Sequence, residues 1–171
     1  MRAPYDLGKC LLACAALATI GCDHATKHVA TSALAGRPSQ SFLQDTVRLT
    51  FAENTGGFLG LGSGLPVEVR TVLFVIAPAL MLVILIAAGR GEKFNEITAL
   101  GWTLFVAGGA SNLISRVVAG SVVDFLNVGI GPVRTGVFNV ADVAIMCGAG
   151  LVVLGQRNKP TAAVPDTEHP S

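Results

Sequence analysis

The order of apolar and polar residues along the chain divides it into four long apolar segments. These segments cover residues 11–34, 66–88, 97–118 and 138–154. A helix needs about 20 mostly apolar residues to cross the hydrocarbon core of a bilayer. The third and fourth segments also carry adjacent small residues, which are common in membrane helices because they let two backbones approach closely. The pattern therefore predicts four transmembrane helices.

The polar segments predict a smaller amount of other structure. The longest, residues 35–65, alternates polar and apolar side chains through SFLQDTVRLTFAEN, which is typical of a strand or hairpin. Shorter polar segments cover residues 89–96 and 119–137, and the Pro-rich residues 156–171 predict a disordered cytoplasmic tail. We expect an all-α membrane protein with four transmembrane helices and a small β-rich extracytoplasmic element. Residues 1–155 would form its single domain.

The composition agrees with a membrane protein. Hydrophobic residues make up 51% of the 171 residues and charged residues 13%, whereas a soluble domain carries about a quarter charged residues. The net charge is +1 and there is no basic stripe, so we expect no nucleic-acid partner.

The N-terminus allows two interpretations. Arg2 and Lys9 precede an apolar run that ends in small residues, a pattern also found in cleavable signal peptides, and TIGC resembles a lipoprotein attachment box. Because three further apolar segments follow, we favour a retained first helix. Basic residues at both ends of the chain and within residues 89–96 favour both termini in the cytoplasm.

Polar residues in or beside the apolar segments lie at one end of the predicted bundle. Four antiparallel helices place the end of the first, the start of the second, the end of the third and the start of the fourth at the same membrane face. The polar residues near that face are Asp23, His24, Lys27, His28, Asn112, Ser115, Arg116, Asp124, Asn139 and Asp142. Because charged groups inside a membrane are costly, this cluster is a candidate functional site.

Helical spacing indicates which of these residues pair. Asp23 and Lys27 are four residues apart and can form an ion pair on one helical face. The other pairs at helical spacing are Asn112 with Arg116 and Asn139 with Asp142. A purely structural role, joining one helix to another, is an alternative for such pairs. Asp124 and Asp142 have no cationic partner at helical spacing, so structural pairing explains them less well.

His24 and His28 also have a spacing that suits metal ligands. The chain lacks an HExxH glutamate, and no third ligand lies near them in sequence. We therefore predict no metal site.

The two unpaired carboxylates suggest a hydrolytic chemistry. The sequence has no serine or cysteine in a nucleophile elbow and no Gly-rich phosphate loop. Two neighbouring carboxylates can share one proton, because like charges resist simultaneous ionisation. The ionised member would activate water and the protonated member would polarise a carbonyl. This is the chemistry of an aspartyl protease, and it needs no cofactor.

Five short motifs resemble those of one enzyme family. They are DHATK at 23–27, ENTGGFLGLG at 53–62, SNLISR at 111–116, VVDF at 122–125 and FNVADV at 138–143. Their order and their side of the predicted membrane match the lipoprotein signal peptidases, also called signal peptidase II. The chain resembles this family over nearly its whole length.

The resemblance implies a specific activity. Members of the family reside in the bacterial inner membrane and remove the signal peptide from diacylglyceryl-modified prolipoproteins, cutting before the lipidated cysteine near the periplasmic face. Asp124 and Asp142 fall on the catalytic positions, with no metal or cofactor. The supporting, substrate-binding positions are Asp23, Lys27, Asn54, Asn112, Arg116 and Asn139. The resemblance also implies membrane lipid as a partner and inhibition by the cyclic peptide globomycin.

Two positions depart from the family pattern. Ser115 replaces the usual aspartate before Arg116, and Ser111 replaces the usual glycine. A lost carboxylate would free Arg116 to pair with Asp124 or with the substrate, so we expect an altered orientation of Arg116 and retained chemistry. The alternative is a catalytically impaired homologue that binds lipidated peptides without cleaving them. Gly56 and Gly57 would let the first loop hinge.

Overall fold

The computed structural model describes residues 5–57 and 60–157, and four long helices account for most of them. The helices are α1 (Tyr5–Leu34), α2 (Val67–Gly89), α3 (Glu96–Ala119) and α4 (Val140–Arg157). Each is long and apolar enough to cross a membrane. The predicted four-helix membrane architecture is therefore confirmed.

Two helices extend beyond their predicted ends. The first begins at Tyr5, six residues before the predicted boundary. The last continues to Arg157, two residues into the segment that was predicted to be a disordered tail. Packing explains the second difference, because Asn95 Nδ2 donates a 2.9 Å hydrogen bond to the carbonyl oxygen of the buried Gly155. The rest of the predicted tail, residues 158–171, lies outside the described residues.

The ends of α3 follow from its sequence. Asn95 is the N-cap, and its Oδ1 accepts a 2.8 Å hydrogen bond from Thr98 N. At the other end Gly120 adopts a left-handed conformation with φ 73°, which a glycine adopts without strain, and its N–H donates to Arg116 O. These signals fix the length of the helix that carries Asn112 and Arg116.

A π-helical turn interrupts α2. Residues Val67–Thr71 and Ala77–Gly89 are α-helical, and Val72–Ile76 form the π-helical turn between them. Pro78 follows the turn near the start of the second α-helical part, where its missing N–H costs least. Turns of this kind often occur at functional sites.

A four-stranded antiparallel sheet covers one end of the bundle. Its strands, in spatial order, are β1 (Gln40–Phe42), β2 (Val47–Asn54), β3 (Val122–Ile130) and β4 (Val133–Arg134). The first two form the hairpin predicted from the first loop. The predicted small β-rich element is confirmed, and residues 119–137 contribute β3 and β4 to it in addition to the hairpin. Val122 and Phe125 of β3 are buried, so this strand belongs to the packed interior.

The helices pack unequally. Glycines let α3 and α4 approach most closely, since a Cβ on Gly108 would lie 2.9 Å from Ile145 Cγ1. The α1 helix packs on α3 and α4, whereas α2 packs mainly on α3. Ala30 and Leu34 at the end of α1 pack with Phe125 of the sheet. This cluster fixes the sheet at the end of the bundle where the polar residues converge.

Candidate active site

Asp23 and Lys27 form the predicted ion pair on α1. Lys27 Nζ lies 2.6 Å from Asp23 Oδ2, and both side chains are buried. Lys27 Nζ also donates to Asn112 Oδ1 at 2.9 Å and to Ser115 Oγ at 3.2 Å. Because a buried charge is tolerated only when it is paired and hydrogen-bonded, these three acceptors account for the burial of the ammonium group.

Asp23 joins three helices. Its Oδ2 accepts a 2.6 Å hydrogen bond from Ser111 Oγ of α3, and its Oδ1 accepts a 2.9 Å bond from Ala141 N of α4. Its side chain is 0% exposed and does not line the cavity described below. Asp23 and Lys27 therefore support the residues that line the cavity without lining it themselves.

The two departures from the family pattern are part of this network. Ser115 accepts a hydrogen bond from Lys27 and donates one to Ser111 O at 3.1 Å. Ser111 donates to Asp23. Both hydroxyls therefore bind the ion pair, and Lys27 has a polar partner at the position where the family usually has aspartate.

Asp142 lies in the first turn of α4 and caps that helix together with Asn139. Asn139 Oδ1 accepts a hydrogen bond from Asp142 N at 3.0 Å, and Asp142 Oδ2 accepts one from Asn139 N at 3.1 Å. This reciprocal arrangement is a capping box, and a carboxylate is favourable at a helix N-terminus. The predicted Asn139–Asp142 pair is confirmed, and it holds the carboxylate in place.

Asp124 lies on β3 and is bound by two amide groups. Its Oδ1 accepts a 2.6 Å hydrogen bond from Asn139 Nδ2, and its Oδ2 accepts a 2.9 Å bond from Asn54 Nδ2. The side chain is almost completely buried. Burial raises the pKa of the Asp124 carboxyl above its usual value, the hydrogen bonds from Asn54 and Asn139 oppose that rise, and the nearby Asp142 adds to it.

Asn112 and Asn139 connect the two aspartates. Asn112 Nδ2 donates to Asp142 Oδ1 at 2.8 Å, and Asn139 Nδ2 contacts Asn112 Oδ1 at 3.3 Å in addition to Asp124. Within residues 5–57 and 60–157 neither aspartate forms an ion pair. Neutral amides thus bind both carboxylates. Lys27 is linked to Asp142 indirectly, because Asn112 accepts a hydrogen bond from Lys27 and donates one to Asp142.

Arg116 binds the first loop. Its Nη2 donates to Gly56 O at 2.8 Å, and its Nη1 donates to Asn112 O at 3.4 Å. Of the two partners suggested for Arg116, Asp124 forms no ion pair with it in the part of the chain that the structure describes, because the guanidinium is directed to these backbone carbonyls. Its contact with substrate remains a prediction.

Asn54 fixes the same loop. Its Nδ2 donates to Gly57 O at 2.9 Å, and its Oδ1 accepts a hydrogen bond from Gly56 N at 3.0 Å. Close packing explains the glycines, since a Cβ on Gly57 would lie 2.8 Å from Phe74 Cε1 of α2. A hinge motion of this loop remains a prediction, and in this structure several hydrogen bonds hold the loop in place.

The carboxylates face a cavity of about 260 Å³ between α2, α3 and α4. Its polar lining consists of Asn54, Asn112, Arg116, Asp124, Asn139 and Asp142. Six of the eight predicted site residues therefore surround one space. The apolar walls come from residues that the sequence did not single out, chiefly Pro78, Met81, Leu82, Phe105 and Ile145. Sequence reasoning missed these residues because they lie within uniformly apolar segments. Only Pro78 differs from its neighbours in a way that could have marked a special position.

The histidines lie apart from this cavity. Neither His24 nor His28 lines it, and the described residues contain no group of three or more side chains arranged to hold a metal ion. The buried His24 Nε2 has no hydrogen-bond partner among them.

Comparison with known proteins decides the family. The family model described as signal peptidase (SPase) II matches residues 15–156. The chain belongs to the signal peptidase II family. It is therefore a peptidase and a multi-pass membrane protein, and the resemblance seen in the five motifs is confirmed.

Individual relatives agree with this assignment. The lipoprotein signal peptidase of Desulforapulum autotrophicum is 35% identical over 130 residues, covering 75% of this chain and 80% of the relative. That of Chlorobium phaeobacteroides strain BS1 is 33% identical over 150 residues, covering 82% and 91%. A bacterial membrane enzyme solved by the in meso method at 2.3 Å resolution has the same fold, with a TM-score of 0.76, 22% identity and coverage of 90% and 94%.

Proposed function

We propose that this signal peptidase II is an aspartyl endopeptidase that removes the signal peptide from diacylglyceryl-modified prolipoproteins, cutting before the lipidated cysteine. The observation that carries the proposal is that Asp124 and Asp142 line one cavity and are held by neutral amides. Two carboxylates in such surroundings can retain a single proton between them. The relatives named above as lipoprotein signal peptidases support the substrate class.

The proposed reaction uses both protonation states of the pair. The ionised carboxylate takes a proton from a water molecule as the water oxygen bonds to the scissile carbonyl carbon. The protonated carboxyl donates its proton to the carbonyl oxygen, which gives a neutral tetrahedral diol. The diol then collapses: one hydroxyl gives its proton to the ionised carboxylate as the C=O bond re-forms, the C–N bond breaks, and the leaving nitrogen receives a proton from the protonated carboxyl. Free enzyme, with one proton on the pair, is restored.

The shape of the cavity supports entry of the substrate from the bilayer. Met81 and Leu82 of α2 form one apolar wall and Ile145 of α4 forms another, while the carboxylates lie at one end. A signal helix would lie between these walls, with its cleavage site extended past Asp124 and Asp142. In this proposal Arg116 and Asn54 contact the substrate backbone or lipid ester, and a globomycin-type cyclic peptide competes for the same space.

The proposed location is the inner membrane of a bacterium, with both termini in the cytoplasm. Arg90 and Lys93 follow α2 at the end of the bundle opposite the carboxylates, and Arg157 ends α4 at the same end. The enrichment of basic residues on the cytoplasmic side of membrane proteins supports this orientation. The sheet and the active site would then lie near the periplasmic face.

A cleavage assay on a lipidated prolipoprotein tests the carboxylate pair. Asp124→Asn and Asp142→Asn should each lower the rate of cleavage by about three orders of magnitude or more, because either change removes the shared proton while preserving the size of the side chain. Asp45→Asn is the matched control, since Asp45 is half-buried in the turn between β1 and β2 and away from the cavity. Its rate should equal that of the wild type.

Binding of globomycin, measured on the same proteins, separates the possible outcomes. Retained cleavage in either aspartate variant would contradict the assignment of the pair. If the wild type binds globomycin but cleaves nothing, the protein is the catalytically impaired homologue.

A further inference from the structure

A second cleft lies in the half of the bundle farthest from the carboxylates. Its walls come from α1, α2 and α3, and its volume is about 410 Å³. On α1 it extends from Leu12 to Ile20, and on α3 from Trp102 to Ala110. It shares no lining residue with the candidate active site. The mechanism proposed above therefore makes no use of it.

The cleft is apolar and open towards the bilayer. Small side chains line it on α1 and α3, including Ala13, Ala16 and Ala110. Because α1 and α2 both pack on α3, the cleft lies between α1 and α2, and α3 lines its inner side. In a membrane, an apolar cleft of this kind lies against hydrocarbon chains, and an acyl chain can fill it at no cost in hydrogen bonding.

Polar donors occur at one end of the cleft only. Arg90 lines the cleft just after the end of α2 and is exposed, and its side chain makes no hydrogen bond or ion pair with any residue in the described ranges. The indole of Trp102 lies against the end of α2, since a Cβ on Gly89 would be 2.7 Å from Trp102 Nε1. A guanidinium group matches the geometry of a phosphate, and tryptophan favours the membrane interface.

We propose that this cleft binds one anionic glycerophospholipid of the leaflet opposite the active site. An acyl chain lies between α1 and α2, against α3, and the phosphate binds Arg90. The chemistry of the cleft favours this ligand because a single cation lies at the mouth of a long apolar groove that opens within the bilayer. The proposal does not depend on the proteolytic activity.

Trp102 provides a direct measurement of binding, because it is the only tryptophan in the chain. Bromine atoms on an acyl chain quench indole fluorescence on contact. Titration of brominated phosphatidylglycerol into the purified full-length protein in detergent should give saturable quenching. Brominated phosphatidylcholine should bind about fivefold more weakly, the factor expected for one basic side chain acting on an anionic lipid.

Variants of the cleft distinguish this site from ordinary lipid contact. Arg90→Gln should weaken binding of the anionic lipid about fivefold and abolish the preference between headgroups. Ala16→Phe should remove the saturable quenching by filling the groove. Lys93→Gln is the matched control, because Lys93 is basic and nearby but does not line the cleft, and it should bind like the wild type.

Four results would overturn the proposal. Equal affinity for the two headgroups, or binding unchanged in Arg90→Gln, would mean that Trp102 contacts only bulk lipid. Binding unchanged in Ala16→Phe would place the lipid elsewhere. Displacement of the brominated lipid by a signal-peptide helix would assign the cleft to the substrate path.

Discussion

Asparagine side chains bind both carboxylates of the candidate active site, and neutral amide partners affect how readily a carboxylate ionises. Amide donors stabilise an ionised carboxylate without adding a fixed charge, whereas a cation in contact would favour full ionisation of both. Asn54 and Asn139 donate to Asp124, and Asn112 donates to Asp142. Burial opposes ionisation of Asp124, and the hydrogen bonds from Asn54 and Asn139 favour it.

Removing one of these amides should change the pH dependence of cleavage. Burial raises the pKa of Asp124, and the hydrogen bond from Asn54 lowers it. In Asn54→Ala that opposing hydrogen bond is lost, so the pKa of Asp124 rises further and the pH profile of kcat/KM moves to higher pH. Because the two carboxyls are coupled, the shift belongs to the pair. The measurement is kcat/KM on lipidated substrate across the pH range.

Asn127→Ala provides the control for this profile. Asn127 lies on the same strand as Asp124, but its amide binds Thr135 O and Arg134 and is remote from the cavity. Its pH profile should match that of the wild type. A profile for Asn54→Ala that is lowered but not shifted would mean that Asn54 only positions the loop.

Contacts within one helix could be predicted from the sequence, and contacts between helices could not. The Asp23–Lys27 ion pair follows from a spacing of four residues. The bond from Asn112 to Asp142 depends on how α3 and α4 are rotated against each other, which periodicity does not specify. The motifs indicated that these residues belong together, and the structure supplies their partners.

At the scale of elements, the helices were predicted better than the sheet. Long apolar segments give a strong signal, and all four helices were located from it. The sequence pattern does not predict β3, because the run from Val122 to Ile130 shows no regular alternation of apolar and polar residues. Its inner part is buried between α1 and the hairpin, so tertiary packing determines that strand.

The close approach of α3 and α4 gives a prediction at this scale. A Cβ on Gly108 would lie 2.5 Å from Ala141 O and 2.9 Å from Ile145 Cγ1, so Gly108→Ala must push α4 away. Overpacking of this kind costs about 1–3 kcal/mol. Because Asp142 follows Ala141 directly, we expect Gly108→Ala to lower both the thermal unfolding temperature in detergent and the rate of cleavage.

Gly150→Ala is the matched control on α4. A Cβ there meets nothing within 4 Å, so the same change should preserve activity. It should also leave the unfolding temperature unchanged or raise it, since alanine favours a helix by up to about 1 kcal/mol over glycine. Equal effects of the two substitutions would show that helix propensity, and not packing, sets the result.

At the scale of the whole molecule, the bundle is divided into two halves with different chemistry. The half beneath the sheet contains the buried ion pair and both aspartates, and the other half contains an apolar cleft with Arg90 at its mouth. The α2 helix borders both spaces and packs mainly on α3. In the two proposals above, substrate and lipid would therefore contact different ends of the same helix.

The proposed roles of the two halves require that the sheet faces the periplasm. Labelling of engineered cysteines tests that orientation. Gly64 lies in the loop before α2, and Gly91 lies in the loop after it. Each is exposed, and an added Cβ at either position meets nothing within 4 Å, so Gly64→Cys and Gly91→Cys form a matched pair. The variants are made in a chain whose four native cysteines are replaced by alanine.

In intact spheroplasts a membrane-impermeant maleimide should label Gly64→Cys. It should label Gly91→Cys only after the membrane is permeabilised, because the predicted topology places residues 89–96 in the cytoplasm. Retained cleavage of lipoprotein by both variants establishes that they are folded. The reverse labelling pattern would place the carboxylates at the cytoplasmic face, where the cleavage site of a lipoprotein precursor is out of reach. That result would contradict both the proposed topology and the proposed route of the substrate.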